Sequence, residues 1–256
     1  MILVNWEHIK TQLITFLQDE VAKSGLERVT VGISGGLDSA VVAILCKEAF
    51  GDNMAGVLMP SQFSSDSSLE DAFELCKKFG IEYEVIEVAP MVNAYLNKMD
   101  EDNMRIGNFS ARMRMSVLYD VSARDKSLVV GTSNKSEILL GYGTIFGDIA
   151  CAINPIGEMY KSDEFEFAKF LGVTQAILDK KPSADLWEGQ SDEEELGYTY
   201  KEMDDVLKQL VDEGKSKDEL LKKGVQEKLI DMLEYRIKAN AFKGKLPQIA
   251  QIQWSE

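Results

Sequence analysis

One octapeptide decides the fold of this chain: Gly32-Ile33-Ser34-Gly35-Gly36-Leu37-Asp38-Ser39. It closes the short apolar run Arg28–Ile33, which indicates a buried strand, and it opens the helical pattern of Leu37–Phe50. Paired glycines allow a close approach of the backbone to a ligand and a positive φ. A helix start offers free N–H groups to an anion. The octapeptide therefore predicts a phosphate-binding loop between a strand and a helix.

The rest of the chain repeats this alternation of strand and helix. Further strands are predicted at 54–59, 83–88 and 128–131. Helices are predicted at 6–21, 69–79, 91–99, 109–124, 164–171, 200–211 and 225–242. The pattern is typical of an α/β protein with a doubly wound parallel sheet, and we expect about five strands with helices on both faces.

We expect a single domain with three parts. These are an N-terminal helix (1–25), a nucleotide-binding core (26–172) and a loop with C-terminal helices (173–256). Glycines and an Asn-Pro pair indicate irregular structure over a functional edge between residues 141 and 157. The stretch Pro182–Gly197 is expected to be a mobile loop, and its acidic run 192–195 is expected to be a solvated helix start.

The composition excludes several classes of function. The 28 basic and 43 acidic residues give a net charge of −15, which disfavours a nucleic-acid partner. No apolar run approaches the ~20 residues that cross a bilayer, and the N-terminus does not resemble a signal peptide. We therefore expect a cytoplasmic protein without a membrane partner. A single histidine, His8, and three scattered cysteines disfavour histidine-based triads, zinc sites and disulfide frameworks.

Asp38 is the unusual residue of the octapeptide, because a carboxylate repels a phosphate. A cation between the two groups removes this repulsion, and Mg²⁺ is bound by one or two carboxylates together with phosphate oxygens. The alternative is that Asp38 is only a helix-start acid favoured by the helix dipole. The loop lacks the lysine of the GxxxxGK[ST] motif, and its glycines do not fit GxGxxG.

The octapeptide resembles the SGGxDS loop of the N-type ATP pyrophosphatases, which share an adenine nucleotide alpha hydrolase-like fold. These enzymes cleave ATP to AMP and pyrophosphate. The resemblance implies that the whole loop binds ATP, namely Gly32, Ile33, Ser34, Gly35, Gly36, Leu37, Asp38 and Ser39.

Later motifs are similar, in order and spacing, to those of the NAD⁺ synthetase family. They are Asn108–Met115, Gly131–Glu137, Gly147-Asp148, Asn154-Pro155, Lys161 and Lys181–Leu186. The resemblance runs from about residue 28 to the C-terminus. It implies that ammonia amidates deamido-NAD⁺ at the expense of ATP, through an acyl-adenylate, to give NAD⁺, AMP and pyrophosphate.

The resemblance also implies roles for individual residues. The implied Mg²⁺ ligands are Asp38 and Glu137. The further ATP-binding residues are Thr132, Lys161 and Ser183. The residues implied to contact deamido-NAD⁺ are Arg112, Asp148 and Lys243, and those implied to be catalytic are Asp148 and Lys161. Asp148 would attract the pyridinium or an incoming ammonium.

Several of these residues also have a simpler interpretation. Glu137 can be a first-turn helix acid, Lys161 a surface lysine and Gly147-Asp148 a turn. Arg112 and Arg114 can be solvated helix charges. The chain also departs from the commoner family pattern at three positions: it has Ile145 in place of a lysine, Ala152 in place of an aspartate and Phe242 in place of a histidine.

Three questions stay open in the sequence. The first is the source of ammonia, because a glutamine-using version needs an amidase domain and a separate glutaminase remains an alternative. The second is the class of function, since a tRNA-modifying ligase and a non-catalytic nucleotide-binding module are rivals. The third is assembly: we expect a homodimer, to which the apolar side chains of Trp6, Ile9, Leu13 and Phe16 could contribute unless they pack on their own core.

Overall fold

A computed structural model describes residues 4–62, 64–96, 102–183, 189–245 and 247–254. The strands are β1 (Arg28–Gly32), β2 (Met54–Leu58), β3 (Tyr83–Val85) and β4 (Ser127–Val130). The helices of the first half are α1 (Trp6–Lys23), α2 (Leu37–Phe50), α3 (Asp66–Phe79), α4 (Ala89–Leu96) and α5 (Asn103–Asp125). Those of the second half are α6 (Lys135–Leu140), α7 (Lys161–Leu171), α8 (Gln175–Leu178), α9 (Asp192–Leu196), α10 (Tyr200–Leu207), α11 (Lys217–Lys222) and α12 (Glu227–Asn240).

The four strands form one parallel sheet in the order β3-β2-β1-β4. Val31 is paired with Gly56 on β2 and Val29 with Leu128 on β4. The chain leaves β1 towards β2 and returns to the other side of β1 at β4. The order of strands therefore reverses between β1 and β4, and this switch point is where open α/β sheets bind ligands.

The expectation of about five strands is wrong, because the described residues form four. The segment after α6 makes a single parallel bridge from Ile153 to Val130. Gly131 donates to the Ile153 carbonyl at 2.8 Å. The next residues are Asn154 and Pro155, and proline has no N–H with which to extend a ladder. The fifth position of the sheet is thus reduced to one bridge.

Two main apolar clusters hold the chain together. The first packs β1, β2, α2, α3 and α7 around residues such as Leu45 and Phe167, and Trp6, Ile9 and Leu13 of α1 pack against it. Trp6 lies 5.6 Å from the Phe167 ring. The second cluster packs α6 with α9–α12. We call the regions built on these two clusters the sheet half and the helical half.

Most predicted helices are confirmed, with shifted ends. α2 begins and ends where the sequence predicted, whereas α5 begins at Asn103 rather than at residue 109. The helix predicted at 91–99 is α4, and residues 97–99 lie outside the described residues. Cys46 and Cys76 are buried. Over the part of the chain that the structure describes, no helix combines the length and apolarity that a membrane crossing needs.

Candidate active site

A cavity of about 1150 Å³ opens at the carboxyl ends of β1 and β4. It is large enough for more than one small ligand. Its wall includes most of the predicted site residues: Gly32–Ser39, Thr132, Glu137, Asp148, Lys161, Ser183 and Lys243. The topological switch point has therefore brought together segments that are far apart in sequence. Ala184–Leu186 of the last motif lie outside the described residues.

The phosphate loop, residues 32–39, presents backbone groups to this cavity. Gly35 has φ +80°, and a Cβ there would meet the Ser68 carbonyl oxygen at 2.0 Å, so only glycine fits. No side chain caps the N-terminus of α2. The hydroxyls of Ser34 and Ser39 instead lie 3.1 Å apart within the loop. The first-turn N–H groups of α2 are therefore available to an anion.

Asn134 links this loop to the next helix. It closes a capping box on α6, in which its Oδ1 accepts from the Glu137 N–H at 3.0 Å and its own N–H donates to Glu137 Oε2 at 3.3 Å. Its Nδ2 donates to Asp38 Oδ1 at 2.7 Å. One buried amide thus places the carboxylates of Asp38 and Glu137 in the same corner. Glu137 is a first-turn helix acid, and it also faces Asp38.

Lys161 holds the cationic side of this corner. The buried Nζ contacts the Asp38 carboxylate and lies 3.6 Å from Glu164 Oε2. Burial opposes charge on both groups of the Lys161–Asp38 pair, yet their attraction raises the pKa of Lys161 and lowers the pKa of Asp38. Lys161 is therefore not the surface lysine of the simpler interpretation.

Glu164 is a buried acid that the sequence did not indicate as a site residue. Its side chain is 0% exposed, and neither carboxylate oxygen has a hydrogen-bond partner. Burial, and then the negative charge of Asp38, raises the pKa of Glu164 well above its ordinary value. The same causes raise the pKa of Glu137. Three carboxylates and one ammonium therefore share this corner, which leaves an excess of acid.

This excess of acid fits a divalent cation. The described residues contain no ready-made group of three or more metal-ligating side chains. Mg²⁺ does not need one, because it is commonly held by one or two carboxylates with phosphate oxygens and water. Asp38 and Glu137 are hard oxygen donors beside the phosphate loop, and the buried Glu164 adds a third acidic group next to the single ammonium of Lys161.

Asp148 and Lys243 lie on another part of the wall. Asp148 Oδ1 accepts from the Thr144 N–H at 2.9 Å. Its side chain opens to the cavity, but the surrounding wall desolvates it and raises its pKa. Lys243 Nζ donates to the carbonyls of Gly141 at 2.7 Å and Gly143 at 2.9 Å. Lys243 thus ties the end of the helical half to the segment that carries Asp148.

Arg112 and Arg114 of α5 point to different places. Arg112 Nε donates to the Ile145 carbonyl at 3.3 Å, so it supports the Asp148 segment from behind. Arg114 lines the cavity, and its Nε donates to the Met59 carbonyl at 3.1 Å. Of the three unusual residues, Phe242 is exposed and so is Ala152, whereas Ile145 is half-buried.

The acidic run after Gln190 is not a solvated helix start throughout. It forms α9, and Asp192 at its first position is 4% exposed. The Tyr142 hydroxyl lies 3.1 Å from Asp192 Oδ1 and 2.9 Å from Glu195 Oε2, so its single proton is shared between the two carboxylates. The expectation is wrong because an acid next to a tyrosine hydroxyl can be buried once the helical half folds over it. That tyrosine lies about 50 residues away in sequence.

Some signals for the missed residues exist. Glu164 stands three residues before Phe167 and four before Ala168, on the stripe by which α7 faces the core. An acid on an apolar stripe is expected to be functional or paired. Asn134 directly precedes a helix with a glutamate at the third position, which is a capping-box pattern. Its bond to Asp38 has no such local signal.

The chain matches the NAD synthase family over residues 9–247. It is 49% identical over 254 residues to an NH(3)-dependent NAD(+) synthetase of Wolinella succinogenes, and the match covers 99% of both chains. Among solved structures it is similar to the NH3-dependent NAD synthetase of Campylobacter jejuni in complex with nitrate, with a TM-score of 0.83 and 42% identity over 97% of this chain and 100% of the other. It is also similar to NMN synthetase from Francisella tularensis, with a TM-score of 0.87 and 33% identity over 97% and 100%.

Proposed function

The chain belongs to the NAD synthase family, and from this we propose that it is a ligase that converts deamido-NAD⁺ and ammonia to NAD⁺ with cleavage of ATP to AMP and pyrophosphate. The observation that carries the proposal is the shared cavity. In it an uncapped, glycine-rich helix start faces Lys161 and two acids, and Asp148 stands on the same wall.

The first step would form an acyl-adenylate. The nicotinate carboxylate attacks the α-phosphorus of ATP, and pyrophosphate leaves. The N–H groups of the phosphate loop and the Lys161 ammonium would stabilise the charge that develops on the leaving group. Thr132 and Ser183, which line the cavity, complete the proposed ATP site.

Mg²⁺ would be held by Asp38 and Glu137. When bound, it neutralises charge on the phosphate oxygens and orients them. Lys161 now contacts Asp38, so its ammonium would move from that carboxylate towards the phosphates. Glu164 Oε2, 3.6 Å from Nζ, gives the ammonium a second acidic neighbour during this change.

The second step would join ammonia to the activated carbonyl carbon, with release of AMP. Asp148, which opens to the cavity, would attract the ammonium ion or the pyridinium and accept a proton as the amide forms. Arg112 would act through the Ile145 carbonyl, while Lys243 would fix the Gly141–Gly143 backbone next to the dinucleotide.

A second candidate substrate is the mononucleotide counterpart of deamido-NAD⁺. The high similarity to a protein described as NMN synthetase favours it. The two substrates share the nicotinate carboxylate and differ in the adenylate portion. Both would use the same phosphate loop and the same Asp148.

One assay tests the function and separates the two substrates. Purified protein is given ATP, Mg²⁺ and ammonium chloride with deamido-NAD⁺ or with nicotinate mononucleotide, and AMP, pyrophosphate and the amide product are quantified. We expect AMP and pyrophosphate with the higher kcat/KM for deamido-NAD⁺. ADP and phosphate as products would refute the family chemistry in this chain, and a higher kcat/KM for the mononucleotide would reverse the choice of substrate.

A cytoplasmic homodimer completes the proposal. Trp6, Ile9 and Leu13 pack on their own core, which leaves them little to offer a partner. Phe16 of α1 is exposed, and further exposed apolar side chains lie on α4 and α5, at Met91, Tyr95 and Met104. We expect a dimeric mass by light scattering and a monomeric one for Tyr95→Glu. A fully active monomeric parent protein would contradict the dimer.

A further inference from the structure

We propose that Lys180 is a further phosphate-binding residue, which Asp71 holds beside the phosphate loop. The inference deepens the proposed function and rests on it, because it assigns a second cation to the same ATP site. Neither the SGGLDS loop nor the later sequence motifs assign a role to Lys180.

The position of Lys180 is fixed by three groups. It follows α8, and its Nζ contacts the carboxylate of Asp71 on α3. Nζ also lies 3.3 Å from Ser68 Oγ and 3.5 Å from the Gly35 carbonyl oxygen. Gly35 is the positive-φ residue of the phosphate loop, and the first turn of α3 packs directly on it. Lys180 therefore lies at the joint between that loop and α3.

The burial of Asp71 explains why its carboxylate holds Lys180 so closely. Asp71 is 8% exposed, and a buried carboxylate is costly unless a cation faces it. The side chain of Lys180 is 28% exposed, and the residue lines the cavity. An ammonium has three donors. Asp71 and Ser68 engage two of them, and the third meets the Gly35 carbonyl oxygen of the loop at the long distance of 3.5 Å, beside the cavity.

The charges around the phosphate loop explain why a lysine at this position would bind phosphate. The phosphate loop has an acid, Asp38, and no cation of its own. Lys161 approaches it through Asp38, and Lys180 approaches it at Gly35. Two lysines on different sides of the loop suit a triphosphate, whose charge is spread over several oxygens and whose leaving group is pyrophosphate. Asp71 would hold the ammonium in place before ATP enters.

The alternative is that the Lys180–Asp71 pair only ties α3 to the segment after α8. The two roles differ in what Asp71 does. If the pair is only structural, removing either partner harms the protein in the same way. If Lys180 binds phosphate, Asp71→Asn keeps the important charge, whereas loss of Lys180 removes it.

The test compares Asp71→Asn with the double variant Asp71→Asn/Lys180→Met. The pair of variants is chosen because Lys180→Met alone would leave a buried acid without its cation. Binding of magnesium pyrophosphate is measured by calorimetry without turnover, and KM for ATP and kcat are measured beside it. The control is Lys77→Met, which removes an exposed lysine from α3, the helix that carries Asp71. Thermal melting reports whether each variant is folded.

We expect the double variant to bind pyrophosphate about tenfold or more weakly than Asp71→Asn, because it lacks one charge-assisted hydrogen bond. KM for ATP should rise in parallel, while KM for the nicotinate substrate and the melting temperature stay at the Asp71→Asn values. Equal pyrophosphate affinity in the two variants would overturn the proposal and leave the ligase function intact. A parent protein that neither binds pyrophosphate nor forms AMP would remove the proposed function and this inference together.

Discussion

The sheet half and the helical half build their parts of the cavity by different means. In the sheet half the phosphate loop uses consecutive residues, so the backbone of β1 and α2 alone places its N–H groups. In the helical half, buried side chains position the site by hydrogen bonds between residues that are far apart in sequence. Asp204 of α10 is 0% exposed and accepts from Ser136 Oγ at 2.6 Å and from the Ser162 N–H at 2.8 Å.

The difference shows which half controls the position of the charged groups. Ser136 in turn accepts from the Lys161 N–H at 3.0 Å, so the start of α7 depends on a chain of bonds that begins in α10. The anion-binding backbone is local to β1 and α2, although Asn134 at the start of α6 donates to Asp38 of the loop. The acids and cations of the site depend on both halves, and the following variants test that distinction.

The largest loss of activity is expected for Lys161→Met. Lys161 begins α7 of the sheet half and is linked through Ser136 to α10 of the helical half, and we call this boundary the seam. The variant leaves Asp38 and Glu164 without their cation and removes the charge that faces the leaving pyrophosphate. We expect kcat to fall about 100-fold or more. Steady-state assays of AMP formation measure this, and Lys169→Met, an exposed lysine of the same helix, should stay near the parent rate. A loss below tenfold would mean that the seam carries little of the catalysis.

The next effect is expected at Asp148, on the wall that Lys243 braces. Asp148→Asn keeps an oxygen to accept from the Thr144 N–H and removes the charge. A lost interaction with a charged group costs ~1.5–3 kcal/mol, so we expect amide formation to slow roughly 10- to 150-fold. Calorimetry should find ATP affinity close to the parent value, since the phosphate loop is independent of this wall. Weakened ATP binding would contradict the separation of the two parts.

A smaller effect is expected when the link between the halves is cut by Asp204→Ala. Its two donors, Ser136 Oγ and the Ser162 N–H, would be left buried without an acceptor. We expect the free energy of unfolding to fall by about 1–3 kcal/mol. Denaturant titration measures it, with the exposed neighbour Asp205→Ala as the control. If stability falls while activity per folded molecule is unchanged, the helical half supports the fold without positioning Lys161.

The smallest effect is expected from Glu164→Gln, as a function of pH. Glu164 is faced by Asp38, Glu137 and Lys161, and its folded-state pKa is raised, mainly by burial. An acid whose pKa is raised by folding stabilises the folded state fully at pH values below its pKa in the unfolded chain. This contribution to stability is lost as the pH rises through its pKa in the folded state. The parent should therefore lose stability from about pH 4.5 upwards by this route, and the variant should not.

The measurement is chemical unfolding in a chelating buffer at several pH values. Above neutral pH we expect Glu164→Gln to have a higher free energy of unfolding than the parent, and we expect this difference to shrink as the pH falls towards 4.5. Glu166→Gln on the same helix, whose partner Lys169 is exposed, should follow the parent. A difference that is constant with pH would show that the Glu164 carboxyl does not change its charge in this range.

The sequence predicted the alternating order of strands and helices, the phosphate loop and the family. These follow from local periodicity and from a signature whose function depends on consecutive backbone groups, so no tertiary information is needed. The resemblance to the NAD⁺ synthetase family is confirmed by the family match over residues 9–247. The assigned roles of Asp148, Arg112 and Lys243 stay predictions.

Only the tertiary structure decided which side chains share the site. Glu164 becomes a fully buried acid because α7 places it beside Lys161 and Asp38, and Lys180 approaches the phosphate loop because α8 ends beside α3. Asp192 is buried by a tyrosine from another segment. Within the described residues the sheet also has four strands rather than five. Periodicity and motifs report what each segment prefers, whereas burial and electrostatic partners arise from segments far apart in sequence, and therefore only folding could specify them.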